Sequence, residues 1–308
     1  MSVDFYLFDV DHGQCAALCL PNGRWCIFDA GCTSAFSPIQ WIAGQATPSA
    51  PVSYNALPAR DHFRFLKGTI SHLHGDHLAD QQRLLECGPE FLRTVAFDAG
   101  YLDDCCETST TESWCEVKEF ASHFREMPVA RSWPDYCGVE ISEMSLPVAV
   151  ARELGGAANS RVNNASVVTR INVYGWSILL CGDIEKEAWE AIIADQGSYG
   201  PSWRPFLNNI DILVAPHHGH RSGFSTNLLS LSKPAVVLVS VVSRDVNVDS
   251  RYSEPPVRGM RIGNADYSYI STRQKGHIKV EIRQSVANYG SATSYWTFGD
   301  TVVRGERR

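Results

Sequence analysis

Three imidazoles and a carboxylate fall within six residues at His72-Leu73-His74-Gly75-Asp76-His77. They follow an apolar run, Phe65 to Ile70, that reads as a buried strand. Histidines two apart on an extended segment point to the same side. Gly75 lets the chain curl, so that Asp76 and His77 come round to face a second point. Borderline nitrogen donors mixed with a hard oxygen donor suit two divalent metal ions sharing one pocket. A histidine-rich loop without metal is the plainer alternative, but chance seldom assembles a His-x-His-x-Asp-His run.

The surrounding segments must hold that motif in place. Asp4 to Val10 reads as a first strand. Cys15 to Leu20 and Arg24 to Asp29 flank Pro21-Asn22-Gly23, whose Asn-Gly fits a tight hairpin turn. Residues 33–62 carry Ser, Pro and Ala without a clear period, which suggests an insertion or lid over the site. A helix is expected over Leu78 to Cys87, a short strand over Thr94 to Phe97, and a second insertion over 100–136 with a helix between Glu112 and Arg125. The second half offers strands at Val167 to Val173, Ser177 to Leu180, Ile210 to Ala215 and Ala235 to Val241. Ala188, Trp189, Ile192 and Ile193 share one face of a helix after Asp183, and a short helix is expected near Ser225 to Leu231. His277 to Ile282 and Ser294 to Phe298 alternate like strands, and Arg304 to Arg308 reads as a frayed end. The expected architecture is α/β, an αββα sandwich of two facing mixed sheets flanked by helices, forming a single domain over 1–308.

The six-residue motif resembles the signature of the metallo-β-lactamase superfamily, and other segments match the same pattern in order. Asp29-Ala30-Gly31 looks like the family's early Asp-x-Gly element, and Cys181-Gly182-Asp183 like the element that supplies a bridging carboxylate. His217-His218-Gly219 closes an apolar run where a late histidine ligand should lie. More narrowly, Phe8-Asp9-Val10-Asp11-His12-Gly13-Gln14, Asn163-Asn164-Ala165-Ser166 and Pro216-His217-His218-Gly219 resemble the soluble domain of bacterial DNA-uptake (competence) channels and its stand-alone relatives. The likeness runs from about residue 3 to residue 283, interrupted by the two insertions.

The resemblance implies metal ligands at His72, His74, Asp76, His77, Asp183 and His217, with two divalent ions, Zn2+ or Mn2+, as cofactors. His217 is preferred over His218 as the ligand by position; His218 then becomes the proton donor to a leaving group, and the two roles can be exchanged. Asp76 both coordinates and orients the attacking water. Asp183 has a plainer reading as a helix N-cap. The family usually supplies another histidine before the Gly-Asp element, and none lies between His123 and Asp183. Asn164 stands near that place, either as a weaker, harder amide ligand with a catalytic role or as a turn residue capping local backbone. Ser166, His220 and Ser222 are candidates to contact substrate.

At 44 % apolar and 20 % charged residues, the chain has the ordinary make-up of a soluble protein with a large core. No apolar stretch reaches 18 residues and no basic region precedes an apolar one at the start, so a cytoplasmic protein without a membrane span is expected. In that compartment the ten cysteines are expected to be free thiols. Cys105, Cys106, Cys115 and Cys137 in the second insertion contain no Cys-x-x-Cys pair that would favour a structural zinc. The net charge of −7 is uneven: from Arg244 onward eleven Lys or Arg face seven Asp or Glu, a tail of about +4 on a body of about −11. That tail is either a face steering an anionic substrate or a scattered solvated surface.

Three functions follow. The first is a metal-dependent phosphodiesterase or nuclease, in which a metal-bound hydroxide attacks single-stranded nucleic acid or a nucleotide. Overall acidity weighs against avid duplex binding. The others are a small-molecule ester, thioester or lactam hydrolase, and a non-catalytic metal-binding partner protein.

Overall fold

Alternation in the first strand sets the layers. A computed structural model describes residues 1–46, 63–126, 134–242, 248–284, 292–298 and 301–307. β1 (Ser2–Leu7) buries Val3, Phe5 and Leu7 on one face and pairs antiparallel with β2 (Ala16–Cys19). The expected Asn-Gly turn leads into β3 (Trp25–Phe28), with Gly23 at φ 79°, a conformation open to a residue without Cβ. Next come α1 (Pro38–Ala46), β4 (Lys67–Thr69), α2 (Gly75–Leu78), α3 (Gln81–Cys87) and β5 (Phe91–Arg93). The second insertion supplies α4 (Ala99–Thr108) and α5 (Thr111–Glu126).

The second half opens with β6 (Glu140–Met144), α6 (Val148–Glu153) and α7 (Ala158–Asn164), then the hairpin β7 (Val168–Val173) and β8 (Trp176–Leu180). It continues through α8 (Lys186–Ala194), α9 (Gly200–Leu207), β9 (Ile212–Val214), α10 (Thr226–Ser232) and β10 (Val236–Val239). Short strands β11 (Met260–Ile262), β12 (Ala265–Tyr267) and β13 (Tyr269–Ser271) precede α11 (Thr272–Lys275). The chain closes with the meander β14 (Ile278–Gln284), β15 (Ala292–Phe298) and β16 (Thr301–Arg307).

These strands form two mixed sheets. One has ten strands in the order β12-β11-β16-β15-β14-β1-β2-β3-β4-β5, and the other six in the order β13-β10-β9-β8-β7-β6. Phe5, Leu18 and Phe28 of the large sheet meet Ile178, Leu180, Val214 and Leu238 of the small one in a shared apolar layer. Trp25, Ile27 and Phe65 on the outer face of the large sheet pack under α1, α3, α4 and α5, through Ile39, Leu84, Tyr101 and Phe120. Leu179, Leu213 and Val237 pack likewise under α8, α9 and α10. Helix, sheet, sheet, helix is the expected αββα order. Strands covered on both faces read as continuous apolar runs, which is why β3 and β10 lack alternation.

Three expectations change. The strand expected at Thr94 to Phe97 lies at Phe91–Arg93, where β4 offers a parallel ladder. The tail expected to fray is strand β16, because β15 and β11 flank it and satisfy its backbone on both sides. The described part of the first insertion is not a lid: α1 lies on the outer face of the large sheet, with Trp41 against Tyr6, Phe8 and Trp25. Residues 47–62 of that insertion lie outside the described residues.

Candidate metal centre

All six expected ligands sit in the segments that follow strand ends, with Asp76 and His77 in the single turn of α2, and backbone bonds lock these segments together. The motif follows β4, Asp183 follows β8, and His217 and His218 follow β9. Ala30 N donates to His77 O (2.9 Å), Val167 N to Ser71 O (2.8 Å), and His217 N to Gly182 O (3.0 Å), so the two sheets are tied at the site. The turns are tight. Gly182 takes φ 55°, and a Cβ there would meet the Ser166 Cβ at 2.7 Å. His217 and His218 both take left-handed φ, 50° and 52°, at a cost of about 1–3 kcal/mol each. Such strain persists only where the surroundings hold it, and it turns the two rings in different directions.

Among the described residues, Asp76, His77, Asp183 and His218 bring one donor atom each within 4.8 Å of one another. His218 Nε2 lies 3.1 Å from Asp76 Oδ2 and 3.4 Å from Asp183 Oδ2. His77 Nε2 lies 3.4 Å from Asp183 Oδ1 and 3.7 Å from Asp76 Oδ2. Beside this group, His72 Nε2 and His74 Nδ1 converge at 3.0 Å, with His72 Nε2 3.9 Å from Asp183 Oδ2. Asp183 therefore stands between two groups of imidazoles.

The rings are aimed from behind. Asp29, itself at φ 59°, accepts from Ser71 N (2.6 Å), Ser71 Oγ (3.0 Å) and Gln14 Nε2 (3.1 Å), and pairs with His77 Nδ1 at 3.0 Å. That contact leaves His77 Nε2 for the centre. Ser71 Oγ holds His72 Nδ1 at 3.0 Å in the same way. The second insertion contributes too: Tyr101 OH accepts from Leu73 N (3.2 Å), and Thr108 Oγ1 lies 3.5 Å from His74 Nε2.

Electrostatics divide the imidazoles into two kinds. Burial lowers His72 and His74, and neighbouring histidines push the same way, so both are neutral at pH 7. Burial also disfavours charge on His77 and His218, but the carboxylates outweigh it: Asp183, Asp29 and Asp76 raise His77 well above 6.5, and Asp183 and Asp76 raise His218 to about 10. Burial likewise opposes the charge on Asp76 and Asp183, yet His77 and His218 hold both well below the usual carboxylate range.

The residues fit a bound metal. His77 Nε2 and Asp183 Oδ1 are buried 3.4 Å from each other within the cluster, and neither has a hydrogen-bond partner outside it. Buried polar atoms are rarely left so, and a mixed imidazole and carboxylate donor set suits Zn2+ or Mn2+.

Several assigned places change. His218, not His217, stands with Asp76 and His77: its ring is buried, whereas His217 is 26 % exposed and 4.0 Å from Asp183 Oδ2. Asn164 is buried with its Oδ1 taken by Glu185 N (3.0 Å), a backbone cap 21 residues distant and not the local one expected. Ser166 is buried and accepts from Asp183 N (3.1 Å), so it supports the loop and does not line the cleft. Ser222 Oγ lies 2.8 Å from both His217 Nδ1 and His220 Nδ1, which places Ser222 and His220 behind His217. Asp29, Gln14, Ser71, Asn163 and Glu185 were given no role from sequence. Asp29, Gln14 and Asn163 had a signal there, their places in the Asp-x-Gly, Phe8–Gln14 and Asn163–Ser166 segments, whereas Ser71 and Glu185 had none.

The centre opens into a cleft of about 500 Å³. Asp76, Asp183, His74, His217, His218, His12 and Asn163 form its floor, and Thr108, Ser109, Thr110, Glu112, Ser113 and Glu116 of the second insertion form its wall. The insertion is anchored through buried Asp104, which pairs with Arg161 (2.6 Å) and Arg152 (3.0 Å). Its cysteines join no metal-binding group among the described residues, and all ten cysteines are free thiols. No Lys or Arg among the described residues lines the cleft. Cations of the basic tail instead pair with acids elsewhere, as in Arg251–Asp249, Arg258–Asp211, Lys279–Asp4 and Arg283–Glu281. No described helix is long and apolar enough to cross a membrane.

Solved structures similar to this chain include the following two. A Parabacteroides distasonis protein provisionally named a metal-dependent hydrolase has a TM-score of 0.44 at 12 % identity, over 87 % of this chain and 92 % of its own. Human tRNase Z, short form, has a TM-score of 0.36 at 15 % identity, over 79 % of this chain and 94 % of its own. No family model and no curated protein matches the sequence.

Proposed function

We propose that this chain is a metal-dependent hydrolase of the metallo-β-lactamase superfamily that cleaves phosphodiesters, with a nucleotide or single-stranded nucleic acid as substrate. The observation that carries the reading is the ordered carboxylate and imidazole set, in which buried His77 Nε2 and Asp183 Oδ1 face each other at 3.4 Å and make no hydrogen bond outside the cluster. His72 and His74 would hold one ion, and Asp76, His77 and His218 the other, with Asp183 shared. Divalent cations bound there supply Lewis acidity, which lowers the pKa of a water and offsets charge on a reacting oxygen.

The chain's own groups do the rest. Asp76, 26 % exposed where the cluster meets the cleft, accepts a hydrogen bond from the attacking water and orients it. His217 lines the same cleft with Nδ1 held by Ser222 Oγ, which leaves its ring placed to donate toward the leaving oxygen. The likeness of Asn163 to Ser166 and of Pro216 to Gly219 to DNA-uptake domains supports phosphodiester chemistry. One observation favours a small ester, thioester or lactam instead: the cleft is closed by hydroxyls and carboxylates and lacks a phosphate-binding cation among the described residues. Bis-p-nitrophenyl phosphate, a single-stranded oligonucleotide and nitrocefin, each assayed with Mn2+ or Zn2+, separate these readings. Turnover of the first two supports the proposal; turnover of nitrocefin alone replaces it with the second reading, and metal binding without turnover of any substrate replaces it with a binding protein.

A further inference from the structure

Asn163 lies in the last turn of α7 and lines the cleft together with His74 and Asp183. The residue is 2 % exposed, and its Oδ1 has no hydrogen-bond partner. Its other end is fixed: Nδ2 donates to Glu185 Oε1 at 3.0 Å. A carboxylate oxygen accepts, so the amide cannot reverse without losing that bond, and the free atom is the carbonyl oxygen. The helix is fixed as well, because Arg161, two residues back, is clamped by Asp104 and by Gly156 O. An amide oxygen that is buried, unpartnered and held in one orientation beside a cluster of carboxylates and imidazoles calls for a donor or a cation.

We infer that Asn163, through Oδ1, is the amide donor that completes the ion position of His72 and His74, the place left without a third histidine. This rests on the metal-centre reading above. Asn164 is excluded from the role because its oxygen caps Glu185 N. The Glu185 carboxylate polarises the Asn163 amide, drawing its N–H and increasing the negative charge on Oδ1. A hard oxygen beside two imidazoles and a shared carboxylate makes this position weaker for Zn2+ than a three-histidine site and more tolerant of Mn2+. It is therefore the position that empties first.

Equilibrium dialysis of the metal-stripped full chain against Zn2+ or Mn2+ alone tests the assignment without reference to turnover. The parent protein should take up two ions, one more weakly. Asn163→Leu, which keeps the branched side-chain outline and removes the donor, should keep the tighter ion and weaken the other tenfold or more. Asn163→His should tighten the weaker Zn2+ by tenfold or more, and it should shift the visible bands of the Co2+-loaded protein as a nitrogen replaces an oxygen. This gain cannot come from misfolding. Two ions at parental affinities in both variants, with only KM altered in Asn163→Leu, would overturn the assignment and make Asn163 a substrate contact. A parent chain that binds no ion would overturn the metal centre itself, a failure distinguishable from the first.

Discussion

Replacing Asp29 with Asn removes one charge and no volume, and it tests whether the support behind His77 sets the chemistry in front of it. Asp29 Oδ2 faces three donors: Ser71 Oγ at 3.0 Å, Gln14 Nε2 at 3.1 Å and His77 Nδ1 at 3.0 Å. In Asp29→Asn the oxygen can keep the Ser71 N–H, but an NH2 group then confronts those donors. His77 responds by keeping its proton on Nε2, the atom that faces Asp183, and loses its capacity as a ligand there. Loss of such a supporting carboxylate typically costs ten- to hundredfold in metal affinity, about 1.4–2.7 kcal/mol. The metal-free protein also loses buried hydrogen bonds worth about 1–3 kcal/mol. For a chain of 308 residues that lowers the melting temperature by roughly 1.5–5 °C. Titration calorimetry with Zn2+ at pH 7, beside a thermal melt, reads both. A variant that binds two ions with parental affinity refutes the claim that Asp29 sets the His77 tautomer.

Asp76→Ala should reduce turnover on the order of a thousandfold or more while circular dichroism stays unchanged, since the residue lies in the single turn of α2, partly exposed and outside the apolar core; near-parental rates with metal present would sink the role given to it. Metal-free protein should lose stability as pH rises. His218 moves from 6.5 to about 10 on folding and His77 is raised as well, so their contribution is complete below about 6.5 and lost on passing about 10; melts that are flat or rising over that range would contradict the pairing. In native protein a thiol reagent should label exposed Cys106 and Cys115 first. Cys26, Cys87 and Cys105, buried with thiols raised to about 12, should react only on unfolding, when all ten titrate; fewer than seven free thiols in denatured protein from a reducing host would refute this.

What the sequence made legible follows from which interactions are local. The six-residue motif carries its own geometry, because a strand, a glycine and a helical turn suffice to present four side chains. Layer order was legible too, from apolar runs long enough to be strands. The choice between His217 and His218 was not, since left-handed φ at both residues decides which ring is buried, and pattern reading does not see φ. Asn163 and Asn164 are adjacent, and their exchange of roles depends on Glu185, more than twenty residues away, which takes one amide by its carboxylate and the other by its N–H. The return of β14 to pair with β1 was equally hidden, because alternation marks a strand without naming its neighbour.

The central claim is that one cluster, organised around Asp183, holds two ions and performs hydrolysis. Its most direct test is the rate of bis-p-nitrophenyl phosphate hydrolysis as metal-stripped protein is titrated with Mn2+. The account predicts negligible turnover at the start and a rise that levels off at about two equivalents per chain. Turnover that survives stripping, or that never appears however much Mn2+ or Zn2+ is bound, would contradict it.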